Sequence, residues 1–370
     1  MDPLLADRGV GIVVCCGAGG VGKTTTSAAL ALRAAEQGRK VVVLTIDPAR
    51  RLAQSMGLSE LDNVPRPVGG VDTDRGGRLD AMMLDMKRTF DEVVEAHTGP
   101  QQAAEILANP FYQVVASSFA GTQEYMAMEK LGQLHRDARR SGRWDLIVVD
   151  TPPSRSALDF LDAPERLASF LDGRFIRLLV APARGPARML SAGLGAVTGA
   201  LTKVLGSQLL LDAQTFVAAL DTLFGGFRQR AEQTYRLLQA DETAFLVIAA
   251  PQADALREAA YFVERLHHDR MPLAGLVLNR VTANLVPQLP GTVADAAAQR
   301  LQRAGEHPLT AHLLQLHAER VVAINREEHL HARFSAAHPT VPTAPVPTLS
   351  TDVHDVAGLR TVGVALASPA

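Results

Sequence analysis

A glycine-rich stretch near the amino terminus carries the clearest chemistry in this sequence. Residues 17–25 read GAGGVGKTT and fill every fixed position of the pattern G-x-x-x-x-G-K-[ST]. Glycines let successive backbone N–H groups turn inward, and the start of a following helix adds partial positive charge, so the pattern predicts a phosphate cradle. Within it, we expect Lys23 to reach the β- and γ-phosphates of a nucleotide and the Thr24 hydroxyl to ligate Mg²⁺.

Two aspartates at the ends of predicted strands are candidates to complete this site. The β-branched run 40–46 ends at Asp47, and the apolar run 146–149 ends at Asp150. Such unalternated runs are typical of buried parallel strands, whose carboxyl ends bind ligands in open α/β sheets. Together with the glycine loop, Asp150 is expected to hold the Mg²⁺ shell. Asp47 either orients a water on the γ-phosphate or begins a turn, because Asp-Pro commonly starts one.

A third polar residue, Asn279, ends the predicted strand 275–278. On the same sheet edge, its amide would hydrogen-bond a purine. A turn-forming asparagine is the competing interpretation, since asparagine is common where strands end in turns.

The surrounding elements predict a doubly wound α/β protein with a mostly parallel sheet and an inserted helical subdomain. Strand-like apolar runs recur along the chain, and helix-like segments separate them. Residues 160–240 change in character, with Ala, Leu, Gly and Phe dominating and an amphipathic spacing of three and four residues. We therefore divide the chain into a first part of a nucleotide-binding core (1–160), a helical subdomain (161–243) and a second part of the core (244–370).

Composition narrows the function classes. The chain has 370 residues, 47% of them apolar, and its interspersed charges sum to −2, which argues against nucleic acid as a partner. Its two cysteines, Cys15 and Cys16, are neighbours on a predicted strand and so point to opposite faces, as packed thiols of a reducing compartment. The reducing compartment that the cysteines indicate is expected to be the cytoplasm. The first eleven residues do not resemble a secretory signal, and no apolar run is long enough to span a membrane.

Taken in order, these motifs resemble the ArsA/Get3-type ATPases, a branch of the dimeric P-loop ATPases that also holds the MinD and ParA proteins. The resemblance implies Mg²⁺-dependent ATP hydrolysis, with Asp47 polarising the attacking water, Lys23 assisting, Thr24 and Asp150 at the metal, and Asn279 contacting adenine. It also implies an ATP-driven dimer rearrangement coupled to an apolar client or a membrane-associated partner. The residues implied to bind the nucleotide's phosphates are Gly19, Gly20, Val21, Gly22, Lys23, Thr24 and Thr25. The motifs that carry the resemblance are residues 17–25, 45–49, 79–85, 121–131, 149–153 and 277–280.

Three departures from the family pattern shape the prediction. Ala18 stands where the family usually has a lysine that reaches across the dimer, so a heterodimer with a homologous subunit is favoured over a homodimer. The cysteine cluster used for arsenite and the C-x-x-C used for zinc are both missing, so neither ligand is expected.

Two alternatives stay open at this point. The chain could be an ATP-binding regulatory subunit of a heterodimer with weak hydrolysis. It could also be a MinD/ParA-like positioning ATPase, which would require a carboxyl-terminal amphipathic membrane helix or a basic DNA surface, and residues 335–370 suggest neither.

Overall fold

An eight-stranded sheet forms the centre of the protein. The computed structural model describes residues 1–47, 51–110, 112–113, 122–152, 226 and 229–367. The strand order is β3-β4-β2-β5-β1-β6-β7-β8, and every neighbouring pair is parallel except β3 with β4. The strands are β1 (Ile12–Gly17), β2 (Lys40–Thr45), β3 (Arg66–Pro67), β4 (Arg78–Met83), β5 (Leu146–Asp150), β6 (Thr243–Ala249), β7 (Leu273–Val281) and β8 (Thr343–Pro347).

Helices cover both faces of this sheet, which confirms the predicted α/β class. The helices with defined bounds are α1 (Asp2–Ala6), α2 (Lys23–Glu36), α3 (Arg51–Ser55), α4 (Met86–His97), α5 (Pro100–Ala108), α6 (Thr122–Ser141), α7 (Ala253–His268), α8 (Gly291–Ala304), α9 (Pro308–Ala337) and α10 (Val356–Ala367). Residues 229–238 are also helical. No helix in these described ranges is long and apolar enough to cross a membrane.

The core consists of two apolar layers, one on each face of the sheet. Alternate residues of β1 point into different layers, with Cys16 on the face covered by α4, α6 and α7 and Cys15 on the face covered by α2 and α10. Both cysteines are fully buried free thiols, so their prediction as packed residues on opposite faces is confirmed. The central strands are buried along nearly their whole length, as parallel strands between helical layers must be.

Two parts of the chain differ from the sequence prediction or lie beyond it. The carboxyl-terminal helix α10 was not predicted, although its buried residues Leu359, Val362, Gly363 and Leu366 follow the three- and four-residue spacing of a helix face. It packs on α2, within the layer that supports the glycine loop. The proposed helical subdomain at 161–243 lies largely outside the described residues and stays a prediction.

Candidate functional site

The glycine loop connects β1 to α2 and is held tightly against the sheet. Gly17 has a φ of 149°, and a Cβ there would lie 2.1 Å from the backbone oxygen of Ile248 on β6. Gly22 caps α2 with a φ of 92°, in the left-handed region that glycine adopts without strain. The loop therefore needs glycine at its first fixed position for close packing and at its second for backbone conformation.

Lys23, the first residue of α2, folds back over the loop. Its side chain is buried, and its ammonium donates hydrogen bonds to the backbone oxygens of Gly17 at 3.0 Å and Ala18 at 2.7 Å. Burial lowers the pKa of Lys23 below its usual value, while the carboxylates of Asp150 and Asp47 act in the opposite direction. The loop thus presents a partly desolvated cation close to its own backbone.

Asp150 ends β5 directly beside this loop. The register pairs Asp150 with Cys15 of β1 on one side and with Thr45 of β2 on the other. One carboxylate oxygen, Oδ2, accepts hydrogen bonds from the Thr24 hydroxyl at 2.8 Å and the Thr45 hydroxyl at 2.9 Å. Parallel pairing therefore brings together three residues that are far apart in the sequence.

The second oxygen of Asp150 has no such partner. Oδ1 is buried, and no hydrogen bond satisfies it within the described part of the chain. Burial raises the pKa of Asp150 to about 6, against the hydrogen bonds from Thr24 and Thr45 and the charge of Lys23, which lower it. A buried carboxylate oxygen without a donor, next to a hydroxyl, is the kind of hard oxygen donor set that suits Mg²⁺.

Asp47 lies two residues beyond the end of β2, at the same edge. Its backbone N–H donates to the Thr45 hydroxyl oxygen at 3.2 Å, and its half-buried side chain borders the same cavity as Lys23 and Thr24. Thr45 thus links the backbone of Asp47 to the carboxylate of Asp150 through one hydroxyl group. The structure brings both predicted aspartates to the loop.

Asn279 reaches the loop from β7. Its amide nitrogen donates to the backbone oxygen of Val21 at 2.8 Å, and it lies so close to Gly22 that a Cβ there would be 2.3 Å from this nitrogen. It therefore supports the loop directly, in addition to bordering the cavity.

A cavity of about 720 Å³ opens above these groups. Of the predicted site residues, Gly20, Gly22, Lys23, Thr24, Thr25, Asp47 and Asn279 line it. The wall also contains residues that were not predicted from the sequence: Arg51, Gln54 and Ser55 on α3, Arg280, and residues 348–349 and 351–354 beyond β8. Val346 and Pro347, at the end of β8, line it as well. Arg51 and Arg280 could have been suspected because they closely follow Asp47 and Asn279, whereas the turn after β8 has no distinctive composition.

A glycine loop between a central parallel strand and a helix, with strand-end aspartates beside its lysine and threonine, defines a P-loop nucleotide-binding protein. The comparison with protein families is more specific, because the model of the ArsA ATPase family, described as anion-transporting ATPase, matches residues 10–290. The chain belongs to this family of ATPases. Strand β8 and helices α8–α10 lie beyond the matched segment.

Individual relatives agree with this assignment at low identity. A protein named ATPase GET3 from Malassezia globosa is 30% identical over 171 residues, 46% of this chain and 47% of that protein. ATPase GET3C from Arabidopsis thaliana is 25% identical over 286 residues, 74% of this chain and 66% of that protein. A putative arsenical pump-driving ATPase from Aquifex aeolicus is 25% identical over 256 residues, 67% of this chain and 57% of that protein. The matched part thus spans 47% to 66% of the length of these relatives.

Proposed function

We propose that the protein hydrolyses ATP in the cavity above the glycine loop, in a Mg²⁺-dependent reaction. The observation that carries this proposal is the group formed by Thr24, Asp150 and Lys23, in which a hydroxyl, a half-satisfied buried carboxylate and a buried ammonium meet at the start of α2. Burying a carboxylate oxygen without a partner is costly, and a cation at Oδ1 would remove that cost. The family assignment supports the same conclusion.

Each residue has a role that its position suggests. The backbone N–H groups of residues 19–25 would bind the phosphates, and Lys23 would exchange its two carbonyl partners for β- and γ-phosphate oxygens. Thr24 and Asp150 would hold Mg²⁺, which neutralises phosphate charge when bound. Asp47 would orient the attacking water and Asn279 would contact adenine, while also keeping Val21 in place.

Two substitutions separate binding from hydrolysis. Lys23→Ala should abolish ATP binding measured by calorimetry, because the loop loses its phosphate-facing cation. Lys87→Ala, which removes a half-buried lysine of α4 outside the cavity, should bind normally. Asp47→Asn should bind ATP but hydrolyse it at least tenfold more slowly, since an amide polarises water less well. Intact binding in Lys23→Ala would remove the phosphate assignment, and wild-type hydrolysis in Asp47→Asn would make Asp47 structural.

Ala18 is the residue on which our proposal for the assembly rests. We propose a dimer with a homologous subunit, preferably a heterodimer, since the family lysine is replaced and Ala18 is buried with its carbonyl bonded to Lys23. The alternative of an ATP-binding regulatory subunit with weak hydrolysis rests on the same residue. The isolated chain should therefore hydrolyse ATP slowly and a lysine-containing homologue should accelerate it. Full activity of the isolated chain would contradict this arrangement.

The helical subdomain at 161–243 is our candidate for the surface that binds an apolar client or membrane-associated partner. A relative named as a putative arsenical pump-driving ATPase supports coupling to a membrane-associated partner, and the cytoplasm is the compartment in which we expect it. Deleting residues 189–211 should abolish partner binding and leave ATP binding intact. Loss of both activities would assign the segment to the fold, and retention of both would exclude it from partner binding.

A further inference from the structure

Arg280 lies at an irregularity of the sheet. In the pairing of β7 with β8, Asn279 is opposite Val346 and Val281 is opposite Pro347, so Arg280 is one extra residue on β7. Its φ of 63° lies in the left-handed region, which residues other than glycine rarely occupy. Bulges of this kind re-aim a side chain, and strained residues of this kind cluster at binding sites.

The side chain of Arg280 has no structural use that would explain its strained backbone. It is exposed, it lines the cavity beside Asn279, and no hydrogen bond or ion pair holds it within the ranges that the structure describes. The two other described non-glycine residues with positive φ, Arg270 and His307, lie in helix-end turns and do not line this cavity. Of these three described residues, Arg280 alone combines a left-handed backbone with a position on the cavity wall.

The sheet order indicates which part of a nucleotide Arg280 would meet. The glycine loop follows β1. Strand β7 lies two strands away from β1, on the side opposite to β2 and Asp47. Adjacent strands are about 4.8 Å apart, so the end of β7 lies roughly 10 Å from the end of β1, and Arg280 borders the cavity to one side of the glycine loop. With the phosphates over the loop, that side of the cavity would receive the base. A guanidinium is planar and packs well on the face of an aromatic ring.

We propose that Arg280 is a base-binding residue whose guanidinium stacks on the nucleobase, and that the bulge in β7 exists to aim it there. The inference rests on the proposed function, because it requires the phosphates to lie in the glycine loop. It assigns Arg280 to affinity for the nucleoside part of the ligand. Lys23 and Asp47 remain assigned to the phosphate part of the ligand.

Arg280→Gly is the decisive variant, since glycine tolerates this φ and removes only the side chain. The midpoint of thermal unfolding should not fall, while affinity for ADP should drop about five- to tenfold by calorimetry. Arg270→Gly is the matched control, because it also relieves a positive φ, 56°, and should leave ADP affinity unchanged. Equal ADP affinity in Arg280→Gly and the unaltered protein would overturn the inference.

Two further measurements separate stacking from charge. Inorganic tripolyphosphate, which has no base, should bind Arg280→Gly as well as it binds the unaltered protein, and an equal loss for tripolyphosphate and ADP would overturn the base assignment. Arg280→Lys keeps the charge but not the plane and should behave like Arg280→Gly, so full affinity in the lysine variant would also overturn it. Failure of the unaltered protein to bind ADP, ATP or tripolyphosphate would instead refute the proposed function of the site.

Discussion

Replacing Gly22 by alanine should disturb both the glycine loop and its contact with β7. The residue has a φ of 92°, and an added Cβ would lie 2.3 Å from the amide nitrogen of Asn279 and 3.6 Å from its Cγ. That nitrogen donates the hydrogen bond to Val21. A methyl group at position 22 must therefore push the Asn279 amide away from the loop.

The cost of this change can be worked from two parts. A left-handed backbone costs alanine about 1–2 kcal/mol relative to glycine. Breaking the bond from Asn279 to Val21 adds about 1 kcal/mol. We therefore expect Gly22→Ala to lower the free energy of unfolding by about 2–3 kcal/mol, and Gly305→Ala by only about 1–2 kcal/mol, because Gly305 has a φ of 65° with nothing within 4 Å of its Cβ position.

Urea unfolding of both variants measures these losses, and calorimetry with ADP on the folded proteins measures the consequence for the site. Gly22→Ala should bind ADP more weakly, since Asn279 and Val21 are both displaced, whereas Gly305→Ala should bind it normally. Equal destabilisation of the two variants, or unchanged ADP affinity in Gly22→Ala, would refute the argument that Asn279 supports the loop.

Three further predictions concern the fold. Burial raises the pKa of Cys15 to about 12 and raises that of Cys16 as well, so at pH 8 neither thiol should react with a thiol reagent until denaturant is added. Arg39→Met should cost about 3 kcal/mol in urea unfolding, because the buried Arg39 guanidinium pairs with Asp145 and also donates to backbone oxygens near the amino terminus. Leu366→Ala should cost about 2–4 kcal/mol, because Leu366 is fully buried where α10 meets α2.

Each of these predictions has a control or a contradicting result. Rapid labelling of Cys15 or Cys16 in the native protein would show that the helices do not cover β1 on both faces of the sheet. Lys40→Met is the control for Arg39→Met, and Val364→Ala is the control for Leu366→Ala, because Lys40 and Val364 are exposed. The free energy of unfolding of each control should stay within about 0.5 kcal/mol of that of the unaltered protein. If Arg39→Met or Leu366→Ala lost no more stability than its control, the contacts described for Arg39 or Leu366 would contribute little.

Local pattern was sufficient for the class of fold and for most of the proposed site. The glycine loop, Asp47 and Asp150 could be read from the sequence because phosphate binding demands glycines and a lysine at fixed spacing, and buried parallel strands leave continuous apolar runs before their last polar residue. Asn279 was identified in the same way, but its contact with Val21 was not, because the two residues are far apart along the chain.

Other features depended on how distant segments pair and pack. The bulge that exposes Arg280, the cover that α10 provides for α2, and the single Thr45 hydroxyl that joins Asp47 to Asp150 all arise from strand register or helix packing. Sequence alone determined that this chain has a glycine loop of the P-loop pattern in a mostly parallel α/β sheet, because those signals are local. Tertiary structure decided which side chains surround the loop and which carboxylate oxygen is left without a partner, because those depend on contacts between residues more than a hundred positions apart.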